Sequence, residues 1–278
     1  MARLDQMQGT DQARAERWAQ AQEIAWRVAP FCSVALLVAA WEMVARSGTV
    51  TPYLLPSVGT VLERIWTDAV AGDLWTNMLQ TLYRAFAGFA IAAIIGVGLG
   101  FAMARSRLAH WFFDPLISIG FPMPKIAFLP VIMLWLGTFD LSKISMVVFD
   151  STFPVVTGTL VGIAGVEREL IWSARNMGAS EREVLRQVVL PAALPAIMTG
   201  LQVALPIALI VAVVSEMVMG GYGLGGAMMT AYRFANSAGV FAGIVEIAAV
   251  GWVVVKLMAL VRRRLLLWHP EALEPSTI

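Results

Sequence analysis

Residues 187–215 read QVVLPAALPAIMTGLQVALPIALIVAVVS, 29 successive positions without Asp, Glu, Lys or Arg. A helix rises about 1.5 Å per residue, so about 20 apolar residues cross the roughly 30 Å hydrocarbon core of a bilayer. A second uncharged run, AFAGFAIAAIIGVGLGFAMA at 85–104, is also long enough. Composition agrees: 59% of the 278 residues are hydrophobic, 14% are charged and mean hydropathy is +0.74. That leaves too few polar side chains to cover a soluble globule of this size. The chain reads as an all-α membrane protein. Its net charge of +1 argues against a nucleic-acid partner, and its one cysteine, Cys32, excludes a disulfide framework or a cysteine-based metal site. His110 and His269 stand beside tryptophans at expected membrane edges, which suits interfacial placement.

Working outward, hydropathy places six spans at 26–45, 82–104, 115–137, 144–165, 197–219 and 240–261. Residues 1–25 are polar with mixed charge and read as a cytoplasmic tail rather than a cleaved leader, and 266–278 as a second tail. Of the 20 Lys and Arg, 13 fall in the tails and connections on the N-terminal side of the membrane, among them Arg105, Arg107, Arg168, Arg175, Arg182, Arg186 and Arg262 to Arg264. Arg46, Arg64, Arg84, Lys143 and Arg233 fall on the other side, so the bias puts both termini inside.

Residues 56–80 carry Val58, Leu62, Ile65, Trp66 and Ala69 at helical spacing opposite Glu63, Arg64 and Asp68, the pattern of an amphipathic helix on the outer membrane surface. Gly88, Ala92, Gly96 and Gly100 give the second span a strip of small residues for close helix packing. Pro122, Pro124 and Pro130 interrupt the third span, and broken backbone at membrane depth belongs inside protein or beside a water-filled cavity. Lys125 lies among these prolines, too deep to snorkel easily. It either pairs with Asp150 or Glu216 or lines a translocation path facing an anionic solute. Lys125, Asp150 and Glu216 are therefore the path candidates. Glu42, Arg84 and Lys256 lie close enough to span ends to reach the interface. Glu246 joins Asp150 and Glu216 in the outer halves of spans, where pairing is the default role.

The segment 166–195 is charged and cytoplasmic in this topology. Ser180 to Glu183 forms a capping-box pattern that starts a short helix. Val184, Leu185, Val188 and Val189 give that helix an apolar face in want of a partner surface, and Pro191 and Pro195 are expected to end it. Ala174, Gly178 and Leu190-Pro191, with Val188 two residues before Leu190, resemble the loop of permease subunits of binding-protein-dependent ABC importers. That loop runs Glu-Ala-Ala, three residues, Gly, nine residues, Ile, one residue, Leu-Pro; here Trp172 and Ser173 replace its first two residues. The chain over about residues 50 to 270 is similar to the nitrate, sulfonate and taurine branch of that family. The likeness is carried by Leu55-Pro56-Ser57, Asp114-Pro115, Leu129-Pro130, Trp135-Leu136-Gly137, Ser142-Lys143-Ile144, Phe153-Pro154 and Gly223-Leu224-Gly225.

This resemblance implies a type I ABC importer permease fold in a bacterial inner membrane. It implies a solute-binding protein outside, two ATPase subunits inside that carry ATP and Mg, and a second permease chain, expected to make a homodimer within the lipid. It assigns coupling to the ATPase to Ala174, Gly178, Ala179, Glu181, Glu183, Leu185, Leu190 and Pro191. No Gly-x-x-x-x-Gly-Lys-Ser/Thr loop occurs in the sequence, so no phosphate cradle of that kind is present and no cofactor is expected in this chain. Neither catalytic nor metal-ligating residues are assigned. The competing reading is a channel or secondary transporter that works without an ATPase. Gly221-Tyr222-Gly223 lacks the full potassium-filter run and reads as a flexible outer loop, and the Gly96 to Gly100 glycines lie within a span, where helix packing explains them.

Overall fold

A computed structural model describes residues 32–268; the expected tail at 1–25, all but the first three residues of that at 266–278, the start of the first span and His269 lie outside the described residues. The described residues are helical and contain no strand. The chain divides into two units between Glu63 and Arg64.

In the first unit, residues 32–46 form α1. The chain then folds back: the Trp41 indole Nε1 donates to the Pro56 carbonyl at 3.0 Å, and the Glu42 carboxylate accepts from the Val58 amide at 2.8 Å. Glu42 also meets Arg46 one turn on at 2.5 Å. Its carboxylate thus serves the start of α2 (Val58–Ala71), where the Ser57 hydroxyl accepts from the Thr60 amide. Along α2, Leu62, Trp66 and Val70 are exposed at successive turns, whereas Val61 is buried. The exposed apolar stripe is therefore Leu62-Trp66-Val70, while Val58, Ile65 and Ala69 of the expected face are partly buried. Gly72, at φ 90°, ends the surface helix sooner than the 56–80 reading.

The second unit continues as α3 (Asp73–Arg105), α4 (Arg107–Gly120), a 3-10 turn (Lys125–Phe128), α5 (Leu129–Leu136), α6 (Asp140–Ala164), α7 (Arg168–Asn176), α8 (Glu181–Glu183), a π-helical stretch (Val184–Val189), α9 (Leu190–Met219), α10 (Leu224–Arg233) and α11 (Ser237–Leu265). Helix α6 is the centre, packed between α3 and α9. The strip Gly88, Ala92, Gly96 and Gly100 is buried against it as expected. A Cβ on Gly100 would lie 2.8 Å from the Val156 carbonyl, and one on Gly200 of α9 would lie 2.7 Å from the Pro154 carbonyl. Backbone-to-backbone approach on both sides of α6 is how membrane helices gain dispersion contacts where lipid offers no hydrophobic drive between them.

Among the described residues four helices, in α3, α6, α9 and α11, are long and apolar enough to cross a membrane. A fifth span exists if α4 and the 3-10/α5 pair, bent by 94°, are taken together. Six spans are therefore not seen among them. The expected third span at 115–137 begins earlier, because the Ser106 hydroxyl caps α4 by accepting from the Ala109 amide at 3.2 Å directly after α3 ends. Along α11 only 11% of the spanning window is buried, leaving Trp252, Val253, Leu257 and Leu260 to lipid or another chain.

Candidate functional site

Helix α7 ends in a motif that fixes the path of the chain. The Gly178 amide donates to the Arg175 carbonyl at 2.9 Å and the Ala179 amide to the Ala174 carbonyl at 3.1 Å, with Gly178 at φ 87°. That is the Schellman arrangement, in which a glycine takes left-handed angles that a side chain resists. Two residues later the capping box is present as read: the Ser180 hydroxyl accepts from the Glu183 amide, and the Glu183 carboxylate accepts from the Ser180 amide at 2.8 Å. These bonds, the Ser180 amide first and its hydroxyl second, hold the Glu183 carboxyl below the usual carboxylate range. Because its folded value is lowered, the stabilisation is present above the ordinary carboxylate range and is lost as pH falls through the folded value.

The helix does not stop at Pro191 or Pro195. Val184–Val189 winds as a π-helix, with the Leu190 amide bonded to the Leu185 carbonyl, and runs directly into α9. A proline ring clashes with the carbonyl four residues back in a regular helix, and the wider π turn relieves that clash at Pro191. The expected docking stripe is also turned inward. Val184 and Val189 are buried with Val166, Ala174, Ala193 and Ile197, and Ala179, Leu185 and Val188 pack partly buried against them. What the segment exposes is Leu170, Trp172 and Met177, the last 82% exposed, and part of Leu190. Glu181 lies beside them, paired to Arg175 at 2.8 Å and 3.9 Å from Arg105 at the end of α3.

At the break after α4, Pro122 and Pro124 supply no amide hydrogens. The Lys125 ammonium donates to the Phe121 carbonyl at 3.1 Å, meets Asp150 of α6 at 3.0 Å and stands 4.7 Å above the Phe153 ring. Lys125 is 7% exposed. Its carboxylate partner is Asp150 and not Glu216.

Glu216 is 0% exposed and sits in a different network near the end of α9. It accepts from Arg84 at 2.6 Å, the Thr81 hydroxyl at 2.9 Å and the Gly225 amide at 3.1 Å. Arg84 reaches Asp140 at 2.7 Å and donates to the Tyr222 carbonyl at 2.6 Å, so it does not snorkel as expected. Lys143 donates to the Gly220 carbonyl at 2.7 Å, and Asn77 accepts from the Gly223 amide at 2.8 Å. The loop read as flexible, Gly221 to Gly223, is thus tied to three helices. Gly223 is required by contact: a Cβ there would fall within 2.4 Å of both Glu216 carboxylate oxygens. Asn77 and Thr81 were missed in the sequence, and Arg84 was read there only as a charge near a span end. They continue, at helical spacing, the face that carries Gly88 to Gly100, and that shared face was the available signal.

The family model described as binding-protein-dependent transport system inner membrane component matches residues 92–267. The chain belongs to this family: it is a multi-pass inner-membrane permease subunit of an ABC importer, a transport subunit. It is 31% identical over 260 residues to the taurine transport system permease protein TauC of Escherichia coli K12, covering 92% of this chain and 94% of that one. It is 32% identical over 235 residues to the putative aliphatic sulfonates transport permease protein SsuC of Bacillus subtilis 168, covering 84% and 85%. Among solved structures, an amino acid ABC transporter crystallised with histidines matches with TM-score 0.61 at 17% identity, over 71% of this chain and 96% of that chain. An inward-facing MetNI methionine ABC transporter matches with TM-score 0.59, also at 17% identity, over 70% and 95%. These two share the fold.

Proposed function

We propose that the chain moves a small organic anion of the sulfonate class into the cytoplasm, with the termini and the 166–195 segment inside. In this reading two copies form the pathway, two ATPase subunits binding ATP and Mg dock from within, and a solute-binding protein delivers from outside. The observation that carries it is the Schellman turn at Gly178 followed by the Ser180 capping box, a rigid corner at the loop that resembles the ATPase-coupling segment. The relatives transporting taurine and aliphatic sulfonates support the solute class. Coupling belongs to Ala174, Gly178, Ala179, Glu181, Glu183, Leu185, Leu190 and Pro191, divided by burial into two tasks. Ala174, Ala179 and Leu185 join the segment to the transmembrane helices, while Trp172 and Met177, beside Glu181, present the surface that meets the ATPase. Large exposed apolar side chains are the usual anchors of such contacts.

Met177→Glu together with Trp172→Ala is therefore expected to weaken retention of the ATPase by tenfold or more (about 1.4 kcal/mol per tenfold) while leaving the permease folded. Copurification from membranes with the coexpressed ATPase checks this; full retention by the double variant contradicts the assigned surface. Retention of no ATPase by the wild type would contradict the importer reading itself.

Lys125 and Asp150 belong to the pathway in this proposal, with the sulfonate displacing Asp150 from the ammonium. Glu216, being fully enclosed, serves as a structural tie. Lys125→Met leaves Asp150 uncompensated and is expected to stop transport. If Lys125→Met combined with Asp150→Asn restores uptake, the pair is structural alone; continued loss of uptake with normal assembly places Lys125 on the path.

A further inference from the structure

Helix α11 meets α9 through a buried cluster of Val254, Met258, Leu266, Met198 and Leu205. From this cluster toward the α10 end of α11 the seam opens into a groove of about 330 Å³, lined by Pro206, Leu209, Ile210, Val213, Gly251 and Val255 among others. Every lining residue is apolar, so water, which needs about two to four polar partners, has no place in it. Gly251 makes the opening: a Cβ there would meet only Leu209 Cδ2 at 3.5 Å, an ordinary contact. The same stripe of α11 runs on through Val255 and Met258 to Arg262 at successive turns. There the guanidinium donates to Gln202 of α9 at 2.9 Å and to the Thr199 hydroxyl at 3.3 Å, which fixes a positive charge across the foot of the seam. Arg263 beside it is exposed, and two turns back Lys256 is exposed as well, among Trp252, Leu257 and Leu260. Among the described residues neither Lys256 nor Arg263 meets a carboxylate. An ammonium within a span is costly until it reaches an anion or water, and Lys256 lies about 14 Å before the end of α11. It stands about 10 Å along the helix from Arg263, a gap that two long side chains close on one phosphate.

We propose that the seam between α9 and α11 binds an anionic phospholipid of the inner leaflet, its phosphodiester held by Lys256 and Arg263 beside the fixed Arg262 and one acyl chain lying in the groove. Basic residues at the cytoplasmic end of a helix seam are the chemistry that selects such headgroups. The lengths agree: one leaflet is about 15 Å of hydrocarbon, and Val255 and Gly251 lie about 10 and 16 Å along the helix from Arg262. The inner placement is that of the orientation given above; the site depends on neither the solute class nor the ATPase. The bound lipid braces α11, most of whose spanning window lacks protein contact, against the helix that continues from the coupling segment.

The test uses the whole transporter, permease with its ATPase, in detergent, and reads lipid binding by native mass spectrometry with phosphatidylglycerol and phosphatidylcholine as the probes. The wild type is expected to retain phosphatidylglycerol in preference by about tenfold or more. Lys256→Gln with Arg263→Gln should weaken that binding about thirtyfold, near fivefold for each charge, and leave phosphatidylcholine unaffected. Gly251→Leu, which removes no charge and enters open space, should weaken the binding of both lipids. Phosphatidylglycerol should raise the Tm of the wild type and not that of the double variant, whose Tm in phosphatidylcholine alone should match wild type. Equal retention of the two lipids by the wild type, or unchanged phosphatidylglycerol binding in the double variant, overturns the proposal. Displacement of the lipid by soluble glycerol phosphate would make this a free-anion site, and separation of paired permease chains by Gly251→Leu would put a second copy of this chain in the groove; either result overturns it equally.

Discussion

Arg84→Met is expected to destabilise the permease by about 3–5 kcal/mol, the usual cost of leaving one member of a buried ion pair uncompensated. The reason lies in the unequal surroundings of its two carboxylates. The Asp140 side chain is 49% exposed, so its pairing is screened and contributes little. Glu216 is enclosed and would keep its charge, or take up a proton, with only Thr81 and the Gly225 amide left to it. The Tyr222 carbonyl loses a donor at the same time. Thermal unfolding in detergent should show a large drop in Tm, and adding Glu216→Gln should recover part of it by removing the orphaned charge. A Tm within a degree or two of wild type would contradict the assignment of this network as the tie between α3, α9 and the Gly220–Gly225 loop.

The second large effect is expected at Gly178. A Cβ there meets nothing within 4 Å, so any loss on substitution comes from the backbone angle and not from crowding. Left-handed angles cost an L-residue about 1–2 kcal/mol, more when the side chain is β-branched. Gly178→Val should therefore unwind the Schellman turn and swing α8 away from α7, displacing Trp172 and Met177 relative to the α9 helix they are meant to drive. ATP-driven uptake should fall by tenfold or more, while the spans remain assembled and the ATPase still hydrolyses. Gly178→Asn, which tolerates left-handed angles, should lie between the two. Equal uptake by the valine and asparagine variants would remove the turn from the coupling mechanism.

Much of this was legible in the sequence where a pattern has one physical meaning. The uncharged run at 187–215 could only be a membrane helix, the Gly88 to Gly100 strip could only face another backbone, and Ser180 to Glu183 could only open a helix. Gly178 was readable because its spacing to Ala174 and Leu190-Pro191 matched a known loop. The apolar face at Val184, Leu185, Val188 and Val189 was found, but periodicity does not say whether such a face meets a partner or its own chain. Here α7 folds back and covers it. The π turn was hidden because proline is an ordinary helix stop in sequence, and only a widened turn lets Pro191 pass. The side-chain partners of Glu216, Thr81 and Arg84, lay more than 130 residues away, a distance over which no local pattern speaks. Helices run past the expected spans where charges sit in them: Asp73, Asp140 and Arg107 all lie at the start of helical elements.

The central claim is that this chain carries solute only when an ATPase drives it. Its most direct test is uptake of labelled taurine and of ethanesulfonate into proteoliposomes holding the permease, its ATPase and the solute-binding protein, with and without ATP inside the coupled compartment. Uptake of one or both sulfonates that requires ATP, requires the binding protein and disappears in Gly178→Val is the predicted result. Uptake that proceeds without ATP, at a rate unaffected by removing the ATPase subunit, would contradict the account and favour a channel or secondary transporter.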